Sequence, residues 1–472
     1  MIQATPFRYV HPNGPIIEEH AWVDPEAAFA PHADKFGALW LDSSDLKHQA
    51  AQYSFIAIAP YQKSHNQIEQ LNEVKAELQA HQALWNGLPD EIDQWLPPFR
   101  GGLAGFFGYD MGRQTSSFDS FHLGFYDTIV AFDHAAKRCF IIATGLPETT
   151  AAARADRAHS QIAFWRQNLI GLPSAALPDP DNCPDLAEDL QSNFTAQTYQ
   201  AAVQRVIDHI LDGDIFQANL AQRFTAQLNP KDTAFSYYQR LRRISPAPFS
   251  SFACFNGWSM ASASPERFLQ ARHRQIETRP IKGTEPRGAT EAEDKAIAER
   301  LMASEKDRAE NIMIVDLLRN DLAKSCRDRS IDVPQLCVLE SFSNVHHLVS
   351  TVRGHLADDK SPLDALLASF PGGSITGAPK IRAMEIINAL EPNSRGPSYG
   401  SLGYIGFDGT MDVNIIIRTA LIRGQDLAFH VGGGIVADSQ PQREYQETLN
   451  KAGGLIAALG LDLARLKQAK AS

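Results

Sequence analysis

The sequence predicts an α+β fold: short apolar runs of strand length alternate with Gly-rich turns, while separate, longer segments carry apolar residues at helical spacing. Taken in order, FIAIAP at 55–60, GLAGFFGY at 102–109 and RCFIIAT at 138–144 read as strands bounded by turn residues, with a helical stretch near 65–84. GLPSAALPDPDNCPDLAEDL at 171–190 then breaks both patterns. Pro173, Pro178, Pro180 and Pro184 each lack a backbone donor and fix φ, which neither a helix interior nor a central strand tolerates. The expected organisation is an N-terminal α+β region over 1–170, a Pro-rich linker over 171–190 and a larger C-terminal region over 191–466.

That last region opens with a helix, because Thr195 precedes Tyr199, Val203, Val206, Ile207, Ile210 and Leu211 at 3/4 spacing and Gly213 stops the pattern. One longer helix is expected over about 292–323, where Ile297, Leu301, Met313, Leu317 and Leu318 keep the period without an internal Gly or Pro. Another is expected over 443–459, after the turn ADSQPQ. Between them lie the strand-like segments FSSFACF, SYGSLGYIGF, VNIIIRTALI and LAFHVGGGIV.

Composition narrows the function classes. Hydrophobic residues at 44%, charged residues at 21% and aromatics at 9% are globular proportions and exclude a mainly disordered, collagenous or heptad-repeat chain. With 44 Lys and Arg against 55 Asp and Glu, the net charge of −11 argues against nucleic acid as a partner. An anionic substrate would need local compensation from a metal or an arginine. The five cysteines, at 139, 183, 254, 326 and 337, form no CxxC pair, so neither a zinc site nor a disulfide framework is indicated. The N-terminus has no basic head followed by an apolar core, and no stretch approaches ~20 uninterrupted apolar residues. The expectation is a soluble, cytoplasmic protein with no membrane partner.

Several constellations can carry chemistry. Asp307 and Glu310 lie three apart on one expected helix, as do Glu444 and Glu447 on another, so each pair projects from one face. Two such faces suit a hard cation such as Mg²⁺, which takes one or two carboxylates plus water and substrate oxygens; solvated surface carboxylates are the competing reading. Lys282, in TRPIKGTEPRG, has Arg279 and Arg287 close in sequence. Positive neighbours and partial burial would favour the neutral amine that a nucleophile requires, whereas a hydrated loop lysine is the bland alternative. Glu266, in ASASPERF, follows a strand and is a candidate proton donor; His347 suits positioning a leaving group or simply filling a core. FPGGSITGAPK at 370–380 lacks the Gly-Lys-Ser/Thr of a phosphate loop, and HVGGGIVADS lacks G-x-G-x-x-G. The glycines of the second segment read either as an anion nest or as a strand bulge, with Arg418 as a possible bidentate partner for the same anion.

Taken together, GDIFQANLAQRF, SPERF, TRPIKGT, KDRAENIMIVDLLRND, SFPGGSITGAPKIRAMEII, GSLGYIGF and GGGIVADSQPQREYQET resemble the chorismate-utilising enzymes, in order and over essentially all of 195–460. RGGLAGFFGYDMGR and WLDSSD extend the likeness upstream more loosely. The resemblance implies two interleaved subdomains that pack antiparallel sheets face to face with helices outside, as in anthranilate synthase component I. It implies amination of chorismate to 4-amino-4-deoxychorismate with pyruvate retained, on the route to 4-aminobenzoate and folate. Anthranilate synthesis is the enzymatic runner-up, and a non-catalytic metabolite-binding subunit is the alternative of another class. Lysine in the PIxGT motif favours the aminodeoxychorismate branch, since anthranilate synthases usually carry alanine there.

By the same resemblance Lys282 is the covalent nucleophile, Glu266 the general acid and His347 the histidine before LVS. Glu310 and Glu447 bind Mg²⁺, with Asp307 and Glu444 in support. Arg418, Gly432, Gly433, Gly434 and Lys451 hold the substrate carboxylates, with Ser374, Thr284 and Tyr399 nearby, and Gln217 lines the ammonia site. No glutaminase segment is apparent, which implies a separate glutamine amidotransferase subunit as the ammonia source. The upstream likeness suggests a tryptophan held by Ser43, Tyr53, Ser54, Phe55, Pro248, Phe249 and Ser250.

Overall fold

The computed structural model describes residues 7–65, 70–111, 120–172, 190–341 and 345–461. Most of the expected linker, 173–189, lies outside these residues, as does Cys183. Among the described residues two antiparallel sheets, of thirteen and ten strands, carry helices around them.

Both sheets are built from strands on either side of the 171–190 stretch. In the larger, Arg8–Val10, Ile16–His20, Arg138–Ala143, Thr128–Asp133, Tyr53–Ala57 and Leu39–Leu41 lead directly into Phe249–Cys254, Ser259–Ser264, Thr419–Arg423, Asp426–Ile435 and Gln217–Gln227. The junction is the pairing of Ser251, Phe252 and Ala253 with Leu41, Trp40 and Leu39. In the smaller, Gln275–Thr278 and Ile281–Pro286 both pair with Val345–His355. The sheet continues through Arg267–Arg272, Met411–Ile415 and Ser401–Gly406 before crossing to Gly102–Phe107 and Phe121–Tyr126. There Leu402 meets Phe106 and Tyr404 meets Ala104.

The sheets pack face to face. Phe55, Ile129, Phe140 and Met260 of the larger share one apolar core with Phe106, Phe125, Leu269 and Tyr404 of the smaller. A second core lies on the outer face of the larger sheet. Trp40, Phe252 and Phe429 there meet Tyr237, Tyr238 and Leu241 of the helix Ala234–Ile244 and Leu455 and Ile456 of the helix Pro441–Ala458. Each such fully buried side chain contributes ~1.5–3 kcal/mol by leaving water. The architecture is the expected mixed α+β fold. No helix among the described residues is long and apolar enough to cross a membrane.

Local signals account for the elements. Thr195 caps the helix Ala196–Leu211 in a reciprocal box with Thr198, and the helix ends just before Gly213 as expected. The stretch near 65–84 contains the helix Gln70–Ala80, with 66–69 outside the described residues. The expected helix over 443–459 is Pro441–Ala458. The single helix expected over 292–323 is instead two, Glu291–Ala303 and Glu305–Ala323, broken at Ser304. Ser304 adopts extended backbone and accepts a hydrogen bond from the Asp307 N–H, so an N-cap interrupts an apolar period that contains no Gly or Pro. VNIIIRTALI likewise divides into Met411–Ile415 and Thr419–Arg423, with Arg418 at φ 50° in the break.

Candidate active site

A cleft of about 560 Å³ opens where the helices Glu305–Ala323 and Pro441–Ala458 approach the strands Ile281–Pro286 and Asp426–Ile435. Glu266, Lys282, Thr284, Ser374, Tyr399, Arg418, Gly432, Gly434 and Lys451 line it, as do Asp307, Glu310, Glu444 and Glu447.

Lys282 reaches the cleft from a bulged strand. The register against Val345–His355 slips between Lys282 and Thr284, and Gly283 sits in the slip at φ 74°. A Cβ on Gly283 would lie 2.9 Å from Leu301 Cδ1 and 3.0 Å from Asp307 Cγ, so only glycine lets this strand approach the Asp307 helix. Lys282 Nζ lies 3.7 Å from Glu310 Oε2. The positive neighbours expected from the sequence do not surround it, because Arg279 pairs with Glu340 and Arg287 binds Asp294 at 2.6 Å.

Glu266 sits between the strands Ser259–Ser264 and Arg267–Arg272 and accepts a 2.6 Å hydrogen bond from Ser374 Oγ on Oε1. Burial raises its pKa above the ordinary carboxylate value. The Ser374 hydroxyl and the charges of Lys282, Lys451 and Arg418 partly offset that rise.

The four acidic side chains expected at a metal border the same cleft from two helices. Burial raises the pKa of Glu310, and Lys282 and Lys306 oppose it. Burial also raises that of Glu444, which accepts from Ser439 Oγ at 2.7 Å and stands near Glu447. Glu447 binds Lys451 Nζ at 2.7 Å, and Asp307 accepts from Ser304 Oγ at 2.5 Å. Among the described residues no three metal-capable side chains already converge. The donors nonetheless suit a hard cation, being carboxylates, two on each bordering helix, of which Asp307, Glu310 and Glu444 are half-buried and Glu447 is exposed.

The three glycines form neither a nest nor a bulge. Gly432, Gly433 and Gly434 pair in regular register with Ala221, Leu220 and Asn219. Asn219 and Ala221 give their N–H groups to Thr376 O and Glu391 Oε1 instead of to this ladder. By strand alternation, Gly432 and Gly434 therefore also turn their peptide groups outward, toward the cleft. Lys451 Nζ donates to Gly432 O at 3.1 Å on that side. Side chains would not fit: a Cβ at 432 would lie 2.5 Å from Leu220 O, and one at 434 would lie 2.8 Å from Gln217 Nε2 and 3.5 Å from Lys282 Nζ. Arg418 extends into the cleft from its left-handed backbone position, exposed.

Two expected residues stand behind the lining. His347 exchanges a 2.8 Å hydrogen bond through Nδ1 with Thr284 Oγ1, and burial lowers its pKa to about 4, which keeps the ring neutral at neutral pH. Gln217 is fully buried, and neither of its amide atoms has a hydrogen-bond partner among the described residues. Tyr399 is held at φ 64° and stacks on the buried Arg395 guanidinium, 4.5 Å from the ring centre.

The sequence reading missed Lys306, His430 and Asn219, which also line the cleft. His430 falls two and four residues before Gly432 and Gly434, and Asn219 two after Gln217, a strand period that could have revealed them. Lys306 lies four before Glu310 on one helix face. Burial drives the His430 pKa down to about 3, and its Nδ1 bonds Ser398 Oγ.

A second cavity of about 310 Å³ lies between the sheets, lined by Ser43, Tyr53, Phe55, Pro248, Phe249 and Ser250. Ser54 is the exception. Alternation along its strand turns it to the other face, where it bonds His134 Nε2 at 2.6 Å. Arg267, Arg279, Glu340 and Asp412 give this cavity charged walls.

Residues 37–457 match the sequence profile described as chorismate binding enzyme. The chain is 39% identical to anthranilate synthase component 1 of Thermus thermophilus over 374 residues, 77% of this chain and 78% of that protein. It is 40% identical to aminodeoxychorismate synthase component 1 of Escherichia coli over 372 residues, 77% of this chain and 78% of that protein. The crystal structure of anthranilate synthase component I from Streptococcus pneumoniae superposes with a TM-score of 0.71 at 30% identity, covering 87% of this chain and 93% of that one.

Proposed function

This chain belongs to the chorismate binding enzymes, and from that premise we propose that it aminates chorismate to 4-amino-4-deoxychorismate, retaining pyruvate. Relatives named for that reaction and for anthranilate synthesis are about equally similar, so overall identity favours neither. The observation that carries the choice is Lys282, whose side chain enters the cleft beside Glu310 and Gly434, where an amine can reach a bound ring.

The residues divide the work as follows. Arg418, Lys451 and the outward N–H groups of Gly432 and Gly434 receive the substrate carboxylates. The Lys282 amine attacks C2 as both double bonds of the ring diene shift and the C4–O bond breaks; Glu266, whose pKa burial raises, gives the leaving hydroxyl its proton and water departs. Ammonia then forms a bond at C4 as the C2–N bond to Lys282 breaks, and the Glu266 carboxylate takes up the proton that the ammonia sheds. Gln217, whose amide lies beside Lys282 and has no hydrogen-bond partner among the described residues, marks the side from which ammonia approaches. Glu310 and Glu447, supported by Asp307 and Glu444, would hold Mg²⁺, which supplies positive charge against the substrate carboxylate. A separate glutamine amidotransferase subunit provides the ammonia, and the second cavity accommodates tryptophan.

The test is to incubate the purified protein with chorismate, Mg²⁺ and ammonium. Aminodeoxychorismate is the expected product. Anthranilate with pyruvate would instead assign the chain to the other branch, and no turnover would leave a binding subunit.

A further inference from the structure

The lysine of FPGGSITGAPK ends a Gly-rich loop, yet it does not face the cleft. Lys380 Nζ turns back to donate to Asp321 Oδ2 at 2.6 Å and to Ser369 O at 2.8 Å. Asp321 is almost fully buried and also accepts from Lys324 Nζ at 2.9 Å. Lys380 is the first residue of the helix Lys380–Leu390, where a cation opposes the helix dipole, and the Asp321 carboxylate offsets that disadvantage. Ser369 closes the helix Pro362–Ser369, so its carbonyl is an end-of-helix acceptor suited to a cation. One amine therefore ties together both ends of the 370–380 loop.

The rest of the loop is fixed with equal care to the helix Glu305–Ala323. A Cβ on Gly373 would lie 2.4 Å from Leu317 Cδ2 of that helix. On the other side Arg395 donates to Ile375 O at 2.8 Å. Between these two points Ser374 presents its hydroxyl to Glu266 Oε1 at 2.6 Å. Asp321 belongs to the same helix that carries Asp307 and Glu310, so one rigid element carries two of the four proposed acidic ligands and anchors the loop that presents the partner of Glu266.

We propose that Lys380, with Asp321, is a positioning residue for the amination: it locks the 370–380 loop to the helix Glu305–Ala323 and so holds the Ser374 hydroxyl against Glu266. This rests on the reading of Glu266 as proton donor. A displacement of about 1 Å at such a contact lowers turnover by about 10- to 100-fold.

The experiment compares Lys380→Met, Ser374→Ala, their double variant and Glu266→Gln in the chorismate and ammonium assay. Lys380→Met should lower kcat by about 10-fold or more with KM for chorismate within about twofold, and adding it to Ser374→Ala should cost no further turnover, because both act through one hydrogen bond. Lys380→Arg should recover part of the loss. Multiplying effects in the double variant, or a change in KM at constant kcat, would overturn the inference while leaving the role of Glu266 intact. Undiminished turnover in Glu266→Gln would overturn both. Should Lys380→Met not fold, Lys380→Met combined with Asp321→Asn removes both buried charges, and the same comparison with Ser374→Ala decides.

Discussion

Lys282 Nζ lies 3.7 Å from Glu310 Oε2, so the proposed nucleophile faces a proposed metal ligand across the cleft. The contact links the strand Ile281–Pro286 to the helix Glu305–Ala323 at the point where Gly283 lets them approach. Replacing Lys282 by Ala should lower amination with ammonium by about 100-fold or more, the scale on which a participating side chain acts. Wild-type turnover in that variant, measured by chromatography of the products, would remove the covalent route.

Divalent cations provide a second check. If Glu310 and Glu447 share a cation, Mg²⁺ should raise the melting temperature of the free protein, by an amount equivalent to ~2.7 kcal/mol when present at about 100 times its dissociation constant. The increment should vanish in Glu310→Gln combined with Glu447→Gln. Equal Mg²⁺ responses from the two proteins would exclude this site.

Glu266 makes a pH-dependent prediction. Its pKa in the folded chain is raised by burial, so the folded state holds the proton more tightly than the unfolded state does. The resulting stabilisation is present at low pH and is lost as pH rises through the raised pKa. Glu266→Gln should therefore melt at a higher temperature than the wild type above neutral pH, with the gap closing toward pH 4. Parallel melting curves across that range would contradict the assigned burial.

Arg395 and Glu391 form an ion pair in which both side chains are almost wholly buried, 2.7 Å apart, and Arg395 also donates to Asn219 O and Ile375 O. Arg395→Met strands the Glu391 charge and should cost about 3–5 kcal/mol in urea unfolding. A loss below ~1 kcal/mol would mean that water reaches Glu391.

Much of the site was legible because its residues lie in contiguous motifs. Glu310 and Asp307 share a helix face by simple spacing, and Lys282, Ser374 and Gly432 fall inside segments that resemble one family throughout. The break at Ser304 was hidden because a serine cap leaves the apolar period untouched, so periodicity alone ran two helices together. The charge environment of Lys282 was misjudged for a different reason. Arg279 and Arg287 are near in sequence, but strand pairing and the Glu291–Ala303 helix bring Glu340 and Asp294 to them first. The outward peptide groups of Gly432 and Gly434 depend on what Asn219 and Ala221 bond, a relation across two strands that no single segment records.

The pairing of Leu39–Leu41 with Phe249–Cys254 and of Gly102–Phe107 with Ser401–Gly406 joins sequence-distant strands at the heart of each sheet. Cutting the polypeptide between residues 170 and 191 and producing the pieces separately would bare two long rows of amide and carbonyl groups on each fragment, an invitation to aggregation. Soluble material should then be recovered only when both pieces are made in the same cell and complete each other's sheets.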